Sequence, residues 1–204
     1  MRIYIPFYSR YGNVEQMARL VAEGVEQVEG AEAMLAFTGD TCTPEEVRTG
    51  DERWQQTHER LMEEYPLADI DDLADSDGAC FGSPTRFGNA AAPMRNFFDM
   101  MGPLWVGGQT DGMPAGTFVS TQTIHGGQEV TNFTMWAPMI HLGMIIVGVP
   151  YTLEELNTTQ SGGTPYGPSH VATATADRPI DDHEAAICRA LGKRVAEIAS
   201  KLAD

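Results

Sequence analysis

Lysine is almost missing: Lys193 and Lys201 are the only two in 204 residues, and every other fixed cation is an arginine. No lysine therefore sits in a glycine-rich turn, which excludes a Walker-type phosphate loop, and no GxGxxG is present, which excludes the dinucleotide fingerprint. Cysteine is scarce as well. Cys42, Cys80 and Cys188 are odd in number and lack CxxC or Cys/His spacing, so a disulfide framework and a zinc site are not expected and a reducing compartment is. No run of 18 apolar residues and no charged-then-apolar leader occurs, so neither membrane insertion nor export is expected and the cytoplasm is the expected location. Positive charge is short too: 13 Lys+Arg against 29 Asp+Glu leave a formal −16. Such a surface repels polyanions, so no nucleic-acid partner is expected. A chain of this length folding as one domain, residues 1–204, buries about 70% of its extended surface and needs no covalent staple.

What is present alternates. RIYIPFY (2–8) is apolar on both faces, as a central strand must be, although Pro6 donates nothing to a ladder. Val14, Met17, Ala18, Val21, Ala22, Val25 and Val28 then recur at helical spacing, with Asn13 as the expected cap and Gln16 reaching back to it. Further strands are expected at AMLAF (33–37), ACFGS (79–83), PAGTFVST (114–121) and MIIVGVP (144–150). Residues 38–75 predict a helical insertion or crossover. TPEE (43–46) has threonine as cap and proline at the first helical position, and Trp54, His58, Leu61, Met62 and Tyr65 form an apolar stripe. Helices are expected around Met94, Phe97, Phe98 and Met101, up to Leu142 with Gly143 as stop, and through Ile187, Cys188, Leu191, Val195, Ile198, Ala199 and Leu202; residues 151–179 form a loop rich in Gly, Pro and Thr. This α/β alternation predicts a doubly wound parallel sheet of order 2-1-3-4-5, with ligands at the carboxyl ends of its strands.

Three loops meet there. SRYGNV (9–14) joins the first strand to its helix. Ser9 and Asn13 offer donors and Gly12 allows close backbone approach, which suits either an ordinary cap or a phosphate held by helix amides. SPTRFGN (83–89) places Pro84, Thr85, Arg86, Phe87 and Asn89 where they form either a plain turn or a grip on a planar polar ring; STQTIHGGQE (120–129) adds hydroxyls, two glycines and His125. Together they suit a planar phosphorylated ligand, and FMN meets that description. A phospho-receiver domain is excluded, because the first strand ends in Tyr8–Ser9 and no lysine precedes Lys193. Trp105 suits packing, an oligomer contact or a substrate pocket equally, and His141, near a helix end, suits neutralising the helix dipole. His58, His170 and His183 are expected at the surface.

SRYGNVEQMARLVAEGV, GSPTRFGN, the LW of GPLW (102–105), GGQE, HLGMIIVGVPY and GGTPYG (162–167) occur in the order and spacing of one family, over essentially the whole chain. The sequence resembles the flavodoxin-like NAD(P)H:quinone oxidoreductases of the WrbA type, which carry an insertion after strand 2. The resemblance implies FMN as cofactor, NAD(P)H and quinones as substrates in two-electron, ping-pong reduction, and a homotetramer whose pockets are completed by neighbouring subunits. It implies further that Ser9, Arg10, Tyr11, Gly12, Asn13 and Val14 hold the FMN phosphate, and that Thr85, Arg86 and Phe87 hold the ring, with Pro84 and Asn89 shaping the turn. Thr121, Gln122, Thr123, Ile124, His125 and Gly126 would line ring and ribityl chain, His141 would contact flavin and substrate, and Tyr11 and Trp105 would line the substrate pocket; an acidic chain that binds anionic NADH would need a positive mouth, for which Arg10, Arg86 and Arg95 are the candidates. The family loop commonly reads STGTGGGQE, so Gln122, Ile124 and His125 replace smaller residues, a change that backbone contacts survive. The alternative function is a one-electron carrier that docks on protein partners through its acidic surface and turns NADH over poorly.

Overall fold

The computed structural model describes residues 1–203. Its first half runs β1 (Arg2–Phe7), α1 (Asn13–Val25), β2 (Glu32–Phe37), then α2 (Glu45–Thr49), α3 (Glu52–Glu64) and α4 (Ile70–Ala74) across the expected insertion. β3 (Gly78–Arg86) turns back into the two-residue β4 (Asn89–Ala90), followed by α5 (Ala92–Asp99), α6 (Gly102–Gly107), β5 (Pro114–Thr121) and α7 (Gln128–His141). β6 (Ile145–Ile146), α8 (Glu154–Thr158), β7 (Ser169–Val171) and α9 (Asp182–Leu202) complete it.

Parallel pairing runs β2-β1-β3-β5-β6, with β7 also on β5 and β4 antiparallel to β3. This is the expected winding, with β6 and β7 sharing the fifth position. The sequence predicts one strand over 144–150, and the structure divides it. Ile145 and Ile146 pair with Pro114 and Ala115, but Val149 donates to Pro165 O at 2.9 Å, so the chain has already left the sheet. It returns as β7 against Val119–Thr121. The segment expected to be loop, 151–179, thus contributes a short helix and a strand.

Pro6 lies in the central strand, as its sequence context demands. Pairing with β2 is continuous, whereas the register with β3 takes Ile3, Tyr4 and Phe7 and skips Ile5 and Pro6. A proline has no N–H to give; Tyr8 closes the gap by donating to Gly82 O at 2.9 Å. Strand residues alternate between two cores. Ile3, Ile5 and Phe7 meet α1 and α9 through Met17, Val21, Ile187 and Leu191, while Tyr4 and Phe81 meet Met94, Phe97, Met135 and Met139 from α5 and α7. Burial on both faces is what a parallel sheet requires.

Several local expectations are corrected. Helix α2 is preceded by an extended Pro44 and makes no side-chain cap bond, so Thr43 falls one residue outside the capping position. The α3 stripe buries Trp54 and Leu61, but Met62 remains exposed. His170 is fully buried rather than at the surface, because β7 carries it under α9 to Glu184. His58 is partly buried, edge-on to Phe37 at 5.8 Å.

Helices α1 and α9 cross with their backbones nearly touching. A Cβ on Gly192 would lie 1.9 Å from Val21 O, and one on Gly24 would lie 2.0 Å from Arg189 O. Backbone cannot swing aside as a side chain does, so a methyl there must push the helices apart. Gly192→Ala is expected to lower the unfolding free energy by about 1–3 kcal/mol, the usual cost of overpacking, in urea titration. Gly102→Ala, where nothing lies within 4 Å of the new Cβ, should leave it unchanged or slightly raised.

Candidate functional site

At the carboxyl ends of β1, β3 and β5 the chain encloses a cavity of about 520 Å³. Its floor is the turn into α1. Ser9 is buried, and its Oγ has no hydrogen-bond partner. Gly12 precedes the helix at φ 89°, a left-handed conformation that glycine adopts without strain, and no side chain caps the helix. The cap expected of Asn13 is corrected: Asn13 is the first helical residue, and its amide donates instead to Ala176 O at 3.2 Å. The opening N–H groups of α1 are therefore left without a side-chain acceptor, at the positive end of a 13-residue helix.

The insertion is latched to this turn. Asp51 caps α3 by accepting from Trp54 N at 3.1 Å, and its second oxygen accepts from Tyr11 OH at 2.6 Å and from Arg10 Nη2 at 3.4 Å. The Arg10 guanidinium lies 3.7 Å from the centre of the Trp54 ring. Burial and the bond to Asp51 push the Tyr11 phenol above its ordinary value.

The second loop is a hairpin from β3 to β4. Thr85 Oγ1 shares a 2.8 Å hydrogen bond with Thr131 and accepts from Gly88 N at 3.2 Å, while Arg86 Nη1 donates to Thr85 O at 2.8 Å. Burial lowers the Arg86 guanidinium from its ordinary value, with Arg10 adding repulsion. Phe87 stands at the tip at φ 55° and is 104% exposed. A bulky aromatic that is both left-handed and wholly in water makes sense beside a ligand surface.

From the third loop, Thr121, Gln122, Thr123 and Gly126 line the cavity, with Ser120 from the end of β5. Gln122 also donates to Ala174 O at 3.3 Å, whereas Ile124 and His125 are exposed and lie outside the lining. Two of the three departures from the family loop thus leave the cavity wall untouched.

The structure therefore brings together Ser9, Arg10, Tyr11, Asn13 and Val14, then Pro84, Thr85, Arg86 and Phe87, with the four residues of the third loop. Gly12 is not part of the lining; it stands in the turn immediately before α1. Asn89 pairs with Arg86 across the hairpin and does not reach the lining. Trp105 and His141 lie elsewhere, lining a second recess of about 340 Å³ between α6 and the end of α7. Arg95 faces a third recess, beside Asp99 and Thr134, and so is not at this mouth.

Sequence reasoning missed a fourth loop. Ala172, Thr173, Ala174 and Ala176 follow β7 and complete the wall. Nothing in ATATA advertises a site; the loop matters because β7 returns to β5. A buried carboxylate anchors that return. Glu184 accepts from Gly162 N at 2.9 Å, Val171 N at 3.1 Å and Asp181 N at 3.1 Å, meets His170 Nδ1 at 2.9 Å and takes both oxygens to Arg178. Burial works against its charge, but the bonds from His170, Val171 and Asp181 outweigh it and hold the carboxyl below its ordinary value of 4.5.

Compared with known proteins, residues 9–156 match the family described as NADPH-dependent FMN reductase. Two curated relatives named NAD(P)H dehydrogenase (quinone) resemble the chain along nearly its whole length. One, from Syntrophobacter fumaroxidans, is 42% identical over 99% of this chain and 98% of its own. The other, from Geobacter sulfurreducens, is 40% identical over 99% of both. Among solved structures, a flavodoxin, WrbA-like protein from Agrobacterium tumefaciens superposes with a TM-score of 0.64 at 18% identity over 98% of each chain. Flavodoxin 1 from Bacillus cereus does so at 0.59 and 18%, over 97% of this chain and 98% of its own.

Acid should act through Glu184. A carboxyl whose folded pKa is depressed stabilises the fold fully above its unfolded value and loses that contribution as pH falls through the folded one. Unfolding free energy is expected to drop as pH falls below about 4.5, the group's ordinary value. Glu184→Gln should cost about 3 kcal/mol at neutral pH, by removing the buried charge that faces His170 and Arg178 and leaving Arg178 only Asp181 and Val171 O, and should flatten the acid limb of the profile in denaturant titrations between pH 7 and 3.

Proposed function

The chain belongs to the NADPH-dependent FMN reductase family, and from that membership we propose that it is an FMN-dependent NAD(P)H:quinone oxidoreductase. The observation that carries the cofactor's placement is the buried Ser9 Oγ without a partner, at the foot of a helix start without a cap. Both are donors that a phosphate satisfies, and no lysine is needed. The residues present fit the group: Ser9 and the first turn of α1 would hold the phosphate, Pro84 to Phe87 would flank the ring, and Thr121, Gln122, Thr123 and Gly126 would run along the ribityl chain. When bound, FMN supplies two-electron redox chemistry, accepting from NAD(P)H and giving to a quinone in ping-pong fashion.

The protein's own part is placement and charge. Arg10 and Arg86 offset the formal −16 at the mouth where an anionic nicotinamide nucleotide must enter. Tyr11, fixed through Asp51, borders that mouth with an aromatic face. The full-length likeness to curated quinone dehydrogenases favours this reading over a one-electron carrier.

Trp105 and His141 enter the reading through assembly. Helix α7 keeps Val130, Phe133 and Ile140 exposed, and α6 keeps Trp105 and Val106 exposed. Apolar faces of this kind mark contacts between chains. The homotetramer covers them with neighbouring copies, and in it Trp105 and His141 complete a neighbour's substrate pocket. No described helix is long and apolar enough to cross a membrane, and the three free thiols suit the cytoplasm.

Two measurements test these statements. Ser9→Ala should weaken FMN binding by about tenfold in fluorescence titration, the worth of one hydrogen bond to a charged group, while riboflavin binding stays unchanged; a wild-type protein whose titration with FMN shows no binding, and which is colourless once free flavin is removed, overturns the reading. Light scattering should give four times the 22.2 kDa chain mass. Ile140→Arg should reduce it and lower kcat/KM for quinone; a monomeric wild type of full activity would refute the completed pocket.

A further inference from the structure

The loop that closes the cavity after β7 is pinned by its carbonyls. Ala174 O accepts from Gln122 Nε2 at 3.3 Å, Thr175 O from Arg53 Nη1 at 2.6 Å, and Ala176 O from Arg53 Nη2 at 2.8 Å and Asn13 Nδ2 at 3.2 Å. Three successive carbonyls are thus engaged by side chains from three separate elements. Two of the loop's residues, Thr173 at φ 66° and Ala176 at φ 53°, are left-handed without being glycine, a conformation that persists only where the surroundings enforce it. The N–H groups of Thr173, Ala174 and Thr175 find no acceptor among the described residues. Thr173 and Ala174 line the same cavity as Ser9.

Carbonyl oxygens beside an anion repel it; amide N–H groups attract it. A loop that binds three successive carbonyls to side chains and leaves the three amides of 173–175 free is built to face negative charge. We propose that Arg53 is a positioning residue: from the first turn of α3 it holds the carbonyls of Thr175 and Ala176, so that the amides of Thr173 and Ala174 close on the flavin phosphate opposite the start of α1. The inference rests on the placement of FMN given above and extends it to a strap outside residues 9–156, the stretch matched by the family. Arg53 itself is exposed and does not line the cavity. Its bidentate fork suits two adjacent carbonyls, which a lysine ammonium does not match. The arrangement also explains why an acidic insertion packs against an anion site: it delivers one arginine there, steadied 5.2 Å from the Tyr11 ring.

The test uses apo-protein titrated separately with FMN and with riboflavin, together with hydrogen exchange at the strap. Arg53→Gln is expected to weaken FMN binding by about tenfold to a hundredfold, the range for losing charge-assisted hydrogen bonds, and to leave riboflavin within about twofold. Arg53→Lys should recover only part of the loss. In the wild type FMN, but not riboflavin, should slow exchange at the amides of 173–175; in Arg53→Gln it should not. Equal losses for both flavins, unchanged FMN affinity, or full recovery with lysine each overturn the positioning role. A wild type that fails to prefer FMN over riboflavin removes the phosphate site itself, and that is seen before any substitution is made.

Discussion

Everything in this structure defers to one constraint: the helix after the central strand must begin with its amides unspent. A helix start ordinarily borrows a side-chain oxygen from its own sequence, and a cap of that kind is worth about 1 kcal/mol. Asn13 stands one residue too late and turns its amide to Ala176, while Gly12 has nothing to lend. That deficit is tolerable because the rest of α1 is held by packing. Its buried face meets α9 so closely that only glycine fits at Gly24 and Gly192, and tertiary contact substitutes for the missing cap. A site that attracts anions is in this sense stabilised from its far end.

The surrounding charges follow the same order. An acidic protein must gather its few cations where they matter, and here each arginine at the site has a carboxylate, an aromatic ring or a carbonyl to fix it. Arg10 lies between Trp54 and Asp51; Arg53 reaches the carbonyls of Thr175 and Ala176. Further along α1, Glu15 is buried between Arg19, Arg60 and Tyr65; burial opposes its charge, but those partners hold its carboxyl below the ordinary range. Cations that are oriented in advance need no reordering when a ligand arrives.

Much of this was legible in the residues, and what was not has physical reasons. The winding of the sheet followed from apolar strands alternating with helical stripes, and the first three loops from their place at strand ends. The left-over side chains were harder. His170 gives no sign in sequence of being buried, because its partner Glu184 arrives from another element. Asn13 has the right chemistry for a cap, but its neighbour Gly12 takes the position. The fourth loop is composed of alanine and threonine, which have no distinctive chemistry; its role depends on where β7 puts it and on a guanidinium more than 100 residues earlier. Trp105 and His141 illustrate a different limit. Motif order assigns them to the pocket, yet in the chain they stand at another recess between α6 and the end of α7, a placement that no sequence periodicity encodes.

The divided fifth strand has a consequence for solubility. An open parallel sheet ends in two rims, and a long straight rim invites strands from other molecules to add on. Here one rim consists of β6 and β7, pieces of two and three residues, too brief to template a foreign strand. At the other, the chain after α3 lies along β2, with Phe37 bonded to Pro66 O at 2.9 Å and to Ala68 N at 2.8 Å. The excursion that completes the cavity wall and the insertion latched to the turn before α1 thus also close the sheet to strangers, and deleting either would expose a sticky border along with an opened cavity.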